Sequence, residues 1–196
     1  MESGPGEPEP TDRHARELTG PVADARRAVL KGFAWSEGHA DVWSVFEDGP
    51  RFAAVIAGLA HLASRDSPTR IIGVEARGFL LGGAVAAHLG VGFRAVRKSD
   101  GLLAGAKVSA QSAPDYRGRS YDMRTHATLN VEDRIVMVDD WIELGSQATA
   151  VRGLVESQGA QWLGVVTMVD DRNEHTADAG PVQSLVLSRD LGPSAA

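Results

Sequence analysis

Residues 134–147 read RIVMVDDWIELGSQ. Four apolar residues follow an arginine and run straight into two adjacent aspartates, and a helical pattern opens at once in GSQATAVRGLVESQG. A short run that is apolar throughout, bounded by turn residues, reads as a strand buried on both faces. A strand that turns directly into a helix is one half of a β-α-β unit, so the chain is constrained to an α/β fold with charge at a strand end.

The same rhythm recurs along the chain. TRIIGVE is an apolar run, GFLLGGAVAAHLG is an apolar helix ending at Gly90, and VGFRAVRK is a strand. QWLGVVTMVDD follows the helix after RIVMVDD, with Ala148, Val151, Leu154 and Val155 of that helix facing inward, and VQSLVLS is the last strand. Upstream, PRFAAVIAGLAHLASR puts Phe52, Val55, Ile56, Leu59 and Leu62 on one helical face, with Pro50 suited to the first turn. RHARELTGPVADARRAVLKG is helical in character, broken near Gly20-Pro21 and stopped by Gly32, with Arg26-Arg27 on a solvated face; HADVWSVF is a short strand or an extended arm. Strands of this kind alternating with helices predict a mostly parallel central sheet flanked by helices. The segment from Lys98 to about Thr125 breaks the rhythm, and a loop of that length in a compact domain is functional or mobile.

At 196 residues the chain suits one domain, expected over 13–196 behind a Pro-, Gly- and acid-rich disordered tail at 1–12. A small hood is expected from residues 33–48 and 170–190. The formal charge of −6 argues against a non-specific nucleic-acid binder. With no cysteine there is neither a disulfide nor a thiolate metal site, which fits a reducing cytoplasm. No apolar run approaches the roughly 18 residues of a membrane span, so neither span nor signal peptide is expected. His14, His126 and His175 lack ligand-like spacing, and His61 and His88 read as helix-surface or packing residues, so no zinc site is expected.

Ligands of open parallel sheets bind beyond the carboxyl ends of the strands. Three such ends carry unusual residues: Glu75-Ala76-Arg77-Gly78, Arg97-Lys98 and Asp139-Asp140. Any one could be the solvated start of a loop. Together, two cationic and one doubly acidic, they point to a ligand with both anionic groups and hydroxyls. Adjacent carboxylates can accept hydrogen bonds from a vicinal diol or hold Mg²⁺ at one remove. The turn from Glu143 to Gln147 leads to a helix N-terminus, whose free N–H groups suit a phosphate, and Gly145 permits close approach. Diol plus phosphate describes a ribose 5-phosphate; Arg77, Arg97 and Lys98 would hold a second anion such as pyrophosphate.

With these residues in view, the sequence resembles the type I phosphoribosyltransferases, and among them the adenine branch. IIGVEARGFLLGGAVAAHLGVGFRAVRK is similar to that family's pyrophosphate loop, helix and following strand; RIVMVDDWIELGSQATA to its phosphoribosyl pyrophosphate motif; and SAPDYRGRSYDM to its mobile hood segment. The similarity covers roughly residues 33–170. The chain departs from the family in two places. Its phosphate loop reads Glu-Leu-Gly-Ser-Gln where the family has Ala-Thr-Gly-Gly-Thr, so Leu144 lacks a donated hydroxyl, part of which Ser146 and Gln147 can replace. The base-binding segment reads His39-Ala40-Asp41 where an aromatic and an arginine precede the aspartate; His39 is either a stacking partner or an exposed loop histidine.

The resemblance implies a reaction and a set of roles. A base nitrogen attacks C1 of phosphoribosyl pyrophosphate as pyrophosphate leaves, through an oxocarbenium-like state, with Mg²⁺ bridging pyrophosphate oxygens. Arg77 and Lys98 would stabilise the leaving charge, with Glu75, Ala76 and Arg97 completing the pyrophosphate side. Asp139 and Asp140 would fix the ribose hydroxyls, and Glu143, Leu144, Gly145, Ser146 and Gln147 would frame the 5-phosphate. Asp115 aligns with the family's glutamate as the candidate acid near the base, Tyr116 follows it, and a loop from about 99 to 120 would close and exclude water. A cis peptide at Glu75-Ala76 is also implied. The expected partners are phosphoribosyl pyrophosphate and a nucleobase in a homodimer, without nucleic acid or membrane. A sensor on the same fold, binding nucleotide without turnover, is the alternative, and the altered phosphate loop favours it.

Overall fold

A computed structural model describes residues 19–98, 102–115 and 117–192. The tail expected at 1–12 and the candidate residue Tyr116 lie outside the described residues. Helix α1 (Pro21–Gly32) starts behind Gly20 with Pro21 in its first turn. A hairpin of β1 (Ala34–Ser36) and β2 (His39–Asp41) follows. The extended reading of HADVWSVF holds only to Asp41. There the Asp41 carboxylate accepts from Trp43 N at 3.0 Å and turns the chain into the single helical turn α2 (Trp43–Phe46). Helix α3 (Gly49–Ser64) is capped by Asp48, whose side chain accepts from Arg51 N at 2.9 Å.

The alternation then runs β3 (Arg70–Val74), α4 (Arg77–Leu89), β4 (Gly92–Lys98), β5 (Lys107–Gln111), β6 (Asp122–His126), β7 (Arg134–Ile142), α5 (Ser146–Glu156), β8 (Gln161–Asp170) and β9 (Val182–Leu187). These last seven strands form one sheet in the order β5-β6-β4-β3-β7-β8-β9. Pairings from β4 to β9 are parallel; β6 joins β4, and β5 joins β6, antiparallel. Within the stretch expected as a long loop, 107–111 and 122–126 are thus paired strands. They escaped the sequence reading because only one face of each is covered. In DMRTH, Met123 and Thr125 are buried while their neighbours remain partly exposed, which leaves no continuous apolar run.

Alternation along β7 feeds two cores. Val136 and Val138 pack with Leu59, Ile71 and Leu81 under α1, α3 and α4; Ile135 and Met137 pack with Val151, Leu154 and Met123 under α5 and the β5–β6 hairpin. Each fully buried Leu or Ile contributes on the order of 1.5–3 kcal/mol. The two cores therefore hold the sheet, and its charged carboxyl edge is free to serve a ligand. Beyond that edge lie the β1–β2 hairpin and residues 171–181; residues 182–187 are themselves a sheet strand. Arg26 is not merely solvated, since its guanidinium pairs with Asp190 at 3.0 Å and ties α1 to the C-terminal turn Ser188–Leu191.

Candidate active site

The two aspartates do not end their strand. β7 continues to Ile142 because β8 keeps pairing with it, Asp139 opposite Thr167, Trp141 opposite Val169 and Ile142 opposite Asp170. Both carboxylates are consequently held by sheet backbone and not by a loose turn. Asp140 is buried, and Arg77 Nε lies 2.7 Å from its Oδ2. The contact is ionic: the N–H is not directed at the oxygen, and Oδ2 is left without a hydrogen-bond partner. Asp139 Oδ1 accepts from Asp140 N at 3.0 Å. Burial, and then the neighbouring Asp140 charge, push the Asp139 carboxyl well above the usual range. Its side chain is partly enclosed by protein and borders the open cleft.

The loop from β3 to α4 reaches Asp140 because it folds back tightly on the sheet. Gly78 O presses on Gly73, where a Cβ would lie 2.1 Å from it. The Glu75-Ala76 peptide is cis, as the resemblance implied. Glu75 uses its carboxylate internally, accepting from Lys98 N at 2.6 Å and from Arg97 Nε at 3.0 Å. Lys98 faces the cleft, its Nζ 4.7 Å from the Tyr121 ring centroid. Arg97, its neighbour on the strand, does not share that cleft: besides Glu75 it binds Leu102 O at 3.2 Å. The expected joint use of Arg97 and Lys98 on one anion is corrected here, since consecutive strand residues point to opposite faces.

On the other side of Asp140, Gly145 adopts φ 69° and opens α5, whose first turn has no side-chain cap. A Cβ at Gly145 would lie 2.8 Å from Ala177 O. The turn is braced by Thr176 Oγ1 donating to Glu143 O at 2.8 Å and Ala177 N to Leu144 O at 2.9 Å. Ser146 and Gln147 in the first turn line a cavity of about 340 Å³ with Glu75, Arg77, Lys98, Asp139, Asp140 and Leu144. A second cavity, of about 580 Å³, opens from Arg77, Lys98 and Asp140 toward His39, Trp35 and Trp141.

Residues 42–187 match the phosphoribosyl transferase domain family. The chain belongs to that family. An adenine phosphoribosyltransferase of Streptomyces coelicolor is 37% identical over 131 residues, covering 66% of this chain and 70% of that one. The crystal structure of adenine phosphoribosyltransferase from Thermoanaerobacter pseudethanolicus superposes with a TM-score of 0.74 at 27% identity, covering 83% of this chain and 99% of that one. The Saccharomyces cerevisiae enzyme, solved with adenine and an imino-altritol bisphosphate, superposes with a TM-score of 0.70 at 27% identity, covering 83% and 99%.

In this phosphoribosyltransferase the structure brings Arg77, Lys98, Asp139, Asp140 and residues 143–147 to one cleft, with Glu75 and Ala76 at its wall. Asp115 borders both cavities, but as the hub of a closed loop. Its Oδ1 accepts from Arg117 N and Arg119 N, both at 2.9 Å, and its Oδ2 from Tyr121 OH at 2.9 Å. The Arg119 main-chain N–H, with Tyr121 and Arg117, holds its carboxyl below the usual range. Asp115 is therefore an ionised acceptor in this conformation and not a ready proton donor. His39 is exposed, yet it borders the larger cavity.

Two bordering residues were missed in the sequence. Trp35 packs edge-on against Trp141, ring centroids 6.3 Å apart, and Tyr121 links Lys98 to Asp115. The turn residues Glu37-Gly38 between Trp35 and His39 were the available signal for a hairpin presenting both. Trp141 packs against Phe33 and also lines both cavities. Among the described residues no helix is long and apolar enough to cross a membrane, and no group of three or more His, Asp or Glu residues is arranged to hold a metal.

Proposed function

We propose that this enzyme transfers the 5-phosphoribosyl group of phosphoribosyl pyrophosphate to a purine-type base, adenine in the first instance, yielding a nucleoside monophosphate and pyrophosphate. The observation that carries the reading is Asp140 Oδ2, a buried carboxylate oxygen without a hydrogen-bond partner, standing beside Asp139 between an arginine and an uncapped helix N-terminus. A buried acceptor of this kind is costly unless a ligand hydroxyl fills it. The adenine phosphoribosyltransferases similar to this chain support the choice of base.

In the reaction a ring nitrogen of the base forms a bond to C1 as the bond from C1 to the pyrophosphate oxygen breaks, and the nitrogen's proton departs. Asp139 and Asp140 accept from the ribose hydroxyls; Arg77 and Lys98 face the leaving pyrophosphate. The N–H groups of Gly145, Ser146 and Gln147, with the α5 dipole, receive the 5-phosphate. Asp115 borders both cavities and would accept the proton that the base releases only once its loop opens, since Arg117, Arg119 and Tyr121 hold its carboxylate. The two adjacent carboxylates suit Mg²⁺ carried in with the pyrophosphate, where it would neutralise developing charge.

The same reading extends to the setting: one domain with hood segments, acting as a cytoplasmic homodimer. The experiment mixes the protein with phosphoribosyl pyrophosphate, Mg²⁺ and adenine and follows pyrophosphate release. Base-dependent release is expected. Tight binding of phosphoribosyl pyrophosphate with no release for any base would replace the enzyme by a sensor, the reading that Leu144 favours.

A further inference from the structure

The acceptor side of the cleft carries its own chemical signature, and the inference drawn from it rests on the function proposed above. The larger cavity, of about 580 Å³, has an aromatic wall formed by Trp35 and Trp141. Trp35 Nε1 donates to Gly192 O at 3.1 Å, which fixes that ring in place. Aromatic faces of this kind receive a planar heterocycle by stacking.

The polar wall is acidic. Glu143 and Asp171 border the cavity, and neither carboxylate has a hydrogen-bond or ion-pair partner among the described residues. Asp115 stands with them but is spent on Arg117, Arg119 and Tyr121. Asp140, whose buried Oδ2 is ion-paired with Arg77 but has no hydrogen-bond partner, borders the same cavity. Burial first, and then the charges of Asp171 and Asp115, raise the Glu143 carboxyl above its ordinary value. Both carboxylates are partly buried and turn toward the cavity without a protein partner among the described residues. Of the cations that border the cavity, Arg77 pairs with Asp140, Lys98 lies over Tyr121, and Arg117 stands next to Asp115 in the loop that Asp115 holds.

An ionised carboxylate accepts hydrogen bonds and donates none. A heterocycle that turns amino or ring N–H groups toward Glu143 and Asp171 satisfies both; one that turns a carbonyl oxygen toward them sets lone pairs against lone pairs. Sites that lose a buried polar partner discriminate strongly against the analogue lacking it. We propose that Glu143 and Asp171 select the acceptor, favouring a purine-type base with more than one amino donor, or a cationic one, and rejecting a base that presents a carbonyl there.

The test measures initial rates of pyrophosphate release with 2,6-diaminopurine, adenine and hypoxanthine, for the wild-type protein and for Glu143→Gln and Asp171→Asn. The expected wild-type order of kcat/KM is 2,6-diaminopurine, then adenine, then hypoxanthine. Glu143→Gln should narrow the ratio of diaminopurine to hypoxanthine by about tenfold, the loss of one charge-assisted hydrogen bond. Asp171→Asn should narrow it in the same direction. Because the ratio is read, a variant that slows all bases alike counts against the proposal, as does an unchanged order. If the wild-type protein turns over none of these bases, the function proposed above falls, and calorimetric titration of the same bases onto the protein with phosphoribosyl pyrophosphate decides the selectivity alone. Tighter binding of diaminopurine, lost in Glu143→Gln, sustains it; equal affinities or no binding overturn it.

Discussion

Arg77 Nε stands 2.7 Å from Asp140 Oδ2, joining the first turn of α4 to the outer end of β7. β3 and β7 are parallel neighbours, so the loop that leaves β3 necessarily emerges beside the β7 carboxylates. The pair keeps a buried negative charge company without satisfying its hydrogen bonding. It leaves the oxygen ready for a hydroxyl and the guanidinium, which is partly exposed, ready for an anion.

Asp140→Asn is expected to weaken binding of phosphoribosyl pyrophosphate while leaving the melting temperature nearly unchanged. A hydrogen bond to a charged group is worth on the order of 1.5–3 kcal/mol, which is about tenfold or more in affinity. Asp139→Asn should weaken that binding to a similar extent. Isothermal calorimetry showing wild-type affinity in both variants would remove the ribose role.

The raised Asp139 carboxyl carries a pH signature. A carboxyl whose folded-state pKa exceeds its unfolded value retains its proton longer in the folded state. The contribution to stability is therefore full at low pH and is lost as pH rises from the ordinary carboxylate range through the folded value. Asparagine at this position has nothing to ionise. Denaturant titrations of the unliganded proteins should show Asp139→Asn gaining stability relative to wild type as pH rises through that window, then levelling off. A difference that stays flat with pH contradicts the assignment.

Asp115 holds the loop 115–121 together through the N–H groups of Arg117 and Arg119. Asp115→Ala should speed hydrogen exchange at those amides, with little change in global stability. If the carboxylate also accepts the base's proton, turnover should fall by roughly 10²–10⁴. Tyr121→Phe should keep most of the loop order, since both N–H bonds remain. Unaltered turnover in Asp115→Ala takes it out of the chemistry.

The phosphate turn yields two opposite expectations. Leu144→Thr adds a hydroxyl in the cleft and should tighten phosphoribosyl pyrophosphate binding by roughly 1–2 kcal/mol, read by calorimetry. Gly145→Ala should destabilise the fold by about 1–2 kcal/mol, because φ 69° is left-handed and the new methyl would meet Ala177 O at 2.8 Å. Thermal unfolding measures that loss. A Gly145→Ala protein as stable as wild type would show that the turn relaxes freely.

The amino-acid sequence by itself determined the parallel α/β architecture, the helices that cover it and the charged residues at the carboxyl edge that form the candidate site. Apolar runs such as IIGV, IVMV and VVTMV, buried on both faces, are local and periodic signals, and Gly90 and Pro50 punctuate helices by their own backbone preferences. The motif residues Arg77, Lys98, Asp139 and Asp140 were legible for the same reason: charge directly after an apolar strand has few structural uses. Tertiary structure alone decided the rest. It extended β7 through the aspartates, because pairing with β8 continues and no single segment encodes that. It separated Arg97 from Lys98, since strand alternation is local but which face meets the cleft depends on what packs beside it. The β5–β6 hairpin, one-sided and polar on alternate residues, became visible only once β4 offered an edge. Trp35, 106 positions before Trp141 in the numbering, was brought against it by the folding of the hood hairpin over the strand ends. Contacts between residues so distant in sequence leave no periodic trace in either segment, and the aromatic wall of the larger cavity is made of them.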